Sequence, residues 1–168
     1  KFRLFHFDEV TITPNSLEKI DKQTQKLNDI QITLSSFSNE LSQKNASQNT
    51  ANFILTSVQL GYEIQLLNDT LLDLINTEKK IAETEVNSTL EIKDIIYSVD
   101  NTLLSLINTQ KENNPKELPH LLGITRSQIY ALQEIVNKLD HNTHHLQHEK
   151  LIHLQRYCKS ISNTINLL

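Results

Sequence analysis

The stretch IDKQTQKLNDIQITLSSFSNELSQKNASQNTANFILTSVQLGY (20–62) decides the fold class. Counting by sevens from Ile20 gives Ile20, Leu27, Leu34, Leu41, Gln48, Leu55 and Tyr62. Three residues further on stand Gln23, Ile30, Phe37, Lys44, Ala51, Val58 and Gln65. Ten of these fourteen are apolar, where a 38% hydrophobic content predicts about five. A three–four alternation puts such residues on one side of an α-helix. Ile20, Leu27, Ile30, Leu34, Phe37, Leu41, Leu55, Val58 and Tyr62 are therefore expected to form an oligomer seam. Leu at the first position with Ile, Phe and Val at the second fits a homotrimer as readily as a dimer.

The seam thins over 42–52, where Lys44 and Gln48 stand at seam positions. Neither Gly nor Pro interrupts it there, so a continuous helix with a polar layer is preferred over a loop. Beyond it the stripe changes phase, through Leu67, Leu71, Leu74 and Ile81 to Ile92, Ile95, Val99, Leu103 and Leu106. A shift of that kind marks local unwinding or a change of partner helix. A single straight helix over 14–110 would be about 140 Å long at ~1.5 Å per residue.

The clearest break is KENNPKELPHLLGIT (111–125), with Pro115, Pro119 and Gly123. The expected organisation is thus an extended segment over 1–13, a heptad-repeat helical region over 14–110, a hinge over 111–124 and a C-terminal helix over 125–168. The fold class is all-α, the last helix folding back on the first as a hairpin. Within it Ile129, Leu132, Val136 and Leu139, then Leu151, Leu154, Cys158, Ile161, Ile165 and Leu168, keep helical spacing. Composition agrees with helices: 168 residues hold 2 Gly and 3 Pro, too few turn-makers for a sandwich, a barrel or a βαβ array.

The net charge of −4, with both signs interspersed, argues against a nucleic-acid face. No apolar run approaches the ~20 residues of a membrane span. The chain has no Met at all and is expected to be a piece of something longer. Asn45-Ala-Ser47, Asn68-Asp-Thr70 and Asn87-Ser-Thr89 are glycosylation sequons, a number that 17 Asn would produce by accident.

Candidate chemistry is sparse. Cys158 lies in an apolar stripe, as a small buried hydrophobe rather than a nucleophile. No phosphate-cradling Gly loop and no strained turn bearing a Ser or Cys is present. The chain is therefore read as non-enzymatic, with no catalytic residues, no cofactor and no metal. His141, His144, His145 and His148 cluster near the C-terminus and include two i,i+4 pairs. They are a candidate pH sensor, since His changes charge near pH 6.5; a solvated face is the plainer reading. LLGITRSQIYALQEI (121–135) has the pattern of a helix-turn-helix with its turn at Gly123, although Pro119 falls inside what would be the first helix.

The segment LLSLINTQKENNPKELPHLLGITRSQIYALQEI (103–135), with Pro119, His120, Leu121 and Leu122 at the turn and Tyr130-Ala131-Leu132 after it, resembles envelope fusion glycoproteins. The family is that of baculoviruses and insect gypsy-type retroelements. The resemblance implies a class I fusion ectodomain core, a homotrimer on a virion or cell-surface membrane, with Phe2, Phe5 and Phe7 downstream of a fusion peptide. It implies membrane contact only through flanking segments. Two other functions stay open: a cytoplasmic helical scaffold or tether that binds partner helices, and a helix-turn-helix DNA binder over 121–135.

Overall fold

The computed structural model describes the backbone of residues 14–43, 47–83, 90–139 and 145–168, with side chains placed at 18–41, 47–81, 94–139 and 145–168. Its regular structure is entirely helical: α1 (Pro14–Gln43), α2 (Gln48–Glu83), α3 (Leu90–Lys111), a 3-10 turn (Pro115–Glu117), α4 (Leu118–Lys138) and α5 (His145–Leu167). The all-α expectation holds. The extended segment expected over 1–13 lies outside the described residues.

Helices α1 and α2 run antiparallel. Gln65 on α2 donates to Asn28 on α1 at 3.0 Å, and Asn68 donates to Thr24 at 2.8 Å, so numbers fall along α1 as they rise along α2. The same reversal joins α2 to α5, where Lys150 meets Glu78 and Ser160 meets Glu63. Gln128 on α4 reaches Ser98 and Thr102 on α3. Helix α5 is the centre of the molecule, packed on α2, α4 and α3, whereas α1 packs on α2 alone among the described residues.

Burial follows that order. Leu132, Leu151, Cys158 and Ile161 have no solvent exposure, and the core also takes Leu74, Ile96, Val99, Leu106, Leu121 and Leu154. Each fully buried aliphatic side chain contributes roughly 1.5–3 kcal/mol. Threonines enter this core because a helical Thr can satisfy its hydroxyl on the preceding turn. Thr70, Thr102 and Thr125 donate to the carbonyls of Leu66, Ser98 and Leu121.

Several expectations need correction. The 14–110 region is three helices, and the preferred continuous helix over 42–52 is instead the junction of α1 and α2. Ser47 stands just before α2, where its Oγ accepts the Thr50 N–H at 3.3 Å and satisfies one of the orphan donors of the helix start.

The hinge is also narrower than 111–124. The chain turns at Asn113, in the left-handed region at φ 52°, and Asn114, and is helical again from Pro115. Pro119 occupies the first turn of α4, where the N–H it lacks would have no partner in any case. Gly123 is inside α4, and a side chain added there would meet nothing within 4 Å. The segment 125–168 is not one helix: α4 ends at Lys138, and α5 begins at His145. The helix-turn-helix is likewise absent, because α4 runs unbroken through Gly123 where the motif requires a turn.

Candidate functional site

The hairpin of α1 and α2 forms an arm whose packing the heptad count only half anticipates. Along α1 the half-buried positions are Ile20, Thr24, Leu27, Asn28, Gln31, Leu34, Ser35, Ser38 and Leu41. The leucines one heptad apart do turn toward α2, but their companions stand four residues on, not three. Ile30 and Phe37, expected in an oligomer seam, are 55% and 53% exposed in the single chain. On α2, Val58 is half-buried while Leu55 and Tyr62 are exposed. Thus the nine seam residues do not form one buried stripe: five line the arm's interior partially, and four face solvent.

The cause is local. The Thr24 and Asn28 side chains hydrogen-bond across to Asn68 and Gln65, which rewards a polar inner face. Gly61 lets the helices approach so closely that Gln31 Oε1 lies against its Cα, buried and without a hydrogen-bond partner. A count of apolar residues registers neither effect.

The α2–α5 contact carries an ionic seam that the sequence reading missed. The Lys150 side chain is only 3% exposed and pairs with Glu78. One turn on, His153 lies between Asp73 and Glu149, each 3.7 Å from a ring nitrogen, and Lys80 approaches Glu149 at 3.8 Å. Near the end of α5, Ser160 donates to both the Glu63 carboxylate and its carbonyl, and Asn163 donates to the same carboxylate at 3.0 Å. The available signal was Lys150 at a position in phase with the buried Leu151, Leu154, Cys158 and Ile161 stripe. A cation in such a stripe requires a facing anion.

The remaining candidates separate. His145 is exposed and His148 half-buried, while His141 and His144 lie outside the described residues. Cys158 is fully buried, and that burial pushes its thiol up to about 12. A thiolate nucleophile is not available there at neutral pH. Pro115 and Pro119 are exposed on the surface. A shallow groove of about 720 Å³ runs between α3 and α4, over Asp94, Ser98, Gly123, Ser127, Gln128 and Ala131. Gln128 gives both amide hydrogens to Ser98 and Thr102 at its floor.

Among the described residues, no group of three or more His, Cys, Asp or Glu side chains is placed to share a metal ion, and no helix is long and apolar enough to cross a membrane. No protein-family model matches this chain, and no curated protein or solved structure does either.

Proposed function

We propose that this chain is a non-enzymatic assembly domain that works by helix–helix contacts made through its α1–α2 arm. The observation that carries this reading is the off-centre stripe of α1: its apolar heptad surface does not coincide with the face it gives to α2. Ile30 and Phe37 stand more than half exposed while Thr24 and Gln31 point inward. An apolar surface offset from its own partner supports the presence of a second partner. Homo-oligomerisation is the expected form. Light scattering of the wild-type chain and of an Ile30→Glu, Phe37→Glu variant tests it. Assembly that the variant abolishes supports the reading; a chain that stays monomeric and captures no partner helix overturns it.

Within that class we place the domain in a viral-type membrane fusion glycoprotein, where refolding helices draw two membranes together. The favouring observation is that one heptad phase runs from Ile20 to Tyr62 straight through the α1–α2 junction. An antiparallel hairpin has no need of that continuity, whereas a state in which α1 and α2 join end to end would use it. Thr24 and Asn68, 2.8 Å apart across the arm, would then separate by roughly 66 Å at ~1.5 Å per residue. A Thr24→Cys, Asn68→Cys disulfide that forms fully at both neutral and endosomal pH, with or without liposomes, would remove the support for this refolding.

A further inference from the structure

The exposed side of α1 is self-complementary. Two anchors seven residues apart, Ile30 and Phe37, form its apolar centre. Along one flank, at the same spacing, run Lys26, Thr33 and Glu40, all exposed. A two-fold axis passing near Thr33 brings Ile30 of one helix opposite Phe37 of the other. The same operation brings Lys26 opposite Glu40, Thr33 opposite its own copy and Glu40 opposite Lys26. In an antiparallel helix pair a flanking row meets the same row of its partner, so one register satisfies the apolar centre and both charge pairs. A parallel in-register pair would instead leave Lys26 and Glu40 on opposite sides of the interface from their copies, with neither charge pair formed.

We infer that α1 docks against α1 of a second copy of this chain, antiparallel and across a two-fold near Thr33. The inference rests on the assembly reading above and gives it a partner and an orientation. Charge complementarity selects the occupant. A foreign helix would need an acid and a base placed two heptads apart in reverse order, which this chain already carries.

Charge exchange gives the test, by sedimentation equilibrium of the whole chain. Lys26→Glu or Glu40→Lys alone is expected to weaken dimerisation about tenfold, since each repels at two symmetric places. The double variant Lys26→Glu, Glu40→Lys is expected to recover the wild-type affinity to within about threefold. Mild oxidation of the Lys26→Cys, Glu40→Cys chain then reads the orientation, and the buried Cys158 does not compete. Disulfides joining position 26 to position 40 of the other copy support the inference; 26–26 and 40–40 linkages overturn it. An oligomer indifferent to Ile30→Glu and to the charge changes also overturns it, while leaving assembly through another surface intact. A chain monomeric at every accessible concentration overturns both.

Discussion

The two ends of the molecule solve the same problem differently. Around α5, helices α2, α3 and α4 close on one element from several sides, and buried polar groups there include the paired Lys150 and Ser160. Along the arm, α1 has a single neighbour among the described residues and keeps two of its best hydrophobes in water. Both regions are helical and both read as amphipathic, so helix formation does not distinguish them. What differs is how completely each stripe is covered. The enclosed region covers its apolar stripes, whereas the arm leaves part of its own in water.

Truncating side chains in the two regions sharpens that contrast most. Leu151→Ala and Ile161→Ala remove fully buried groups, and each is expected to cost about 3–5 kcal/mol in urea unfolding. Leu34→Ala in the half-buried arm should cost roughly 1 kcal/mol, in proportion to the smaller apolar area it removes from water. Equal losses would mean that the arm is as tightly enclosed as the core.

The thiol offers a second test, with a definite sign. Cys158 is neutral in the folded chain up to about pH 12, whereas in the unfolded chain it ionises near its ordinary value of 9.0. Above that ordinary value the unfolded state holds fewer protons, so stability falls as pH rises from 9 toward 12. Tyr157 shifts the same way, burial again being the main cause. A Cys158→Ala variant should flatten the alkaline decline measured by denaturant titration, and alkylation of the native thiol at pH 8 should run no faster than opening of the fold. Rapid alkylation at pH 8 would show that α5 is not enclosed.

The ionic seam predicts an asymmetry of similar but smaller size. Glu78→Ala leaves Lys150 buried without its facing carboxylate and is expected to cost about 3 kcal/mol. Lys150→Met conserves volume and removes the buried charge, while Glu78, whose side chain is 30% exposed, can turn to water. That change should cost less than about 1 kcal/mol. Comparable losses in the two variants would mean that Lys150 contributes chiefly through packing.

The enclosed region was also the more legible in the sequence. Leu151, Leu154, Cys158, Ile161 and Ile165 keep strict helical spacing and are all buried, because they face the helices packed around α5. Asn113 and Pro115 mark the turn before α4, since one adopts a left-handed backbone and the other favours a new helical start. The arm was harder to read. The residues between α1 and α2 include no Gly or Pro, and the arm's inner face is chosen by side-chain hydrogen bonds and one close approach. Neither is visible to a hydrophobic period, which selected Ile30 and Phe37 where the arm uses Thr24 and Gln31. Lys150 escaped for the complementary reason: its partner Glu78 lies 72 residues away and is identified only by the fold.

The subtlest test lies at Gly61, where that close approach occurs. A methyl group there would overlap Gln31 Oε1, the free end of a flexible side chain, rather than backbone. Ala gains about 1 kcal/mol over Gly in a helix, and displacing Gln31 offsets that gain, so Gly61→Ala alone should shift stability by less than about 0.5 kcal/mol. Adding Gln31→Ala clears the space and also removes a buried oxygen that has no partner. The double variant should then be more stable than wild type by about 1 kcal/mol, with hydrogen exchange slowed in α1 and unchanged in α5. Additive small effects at the two positions would show that α1 and α2 do not meet there, and the arm would need a different register.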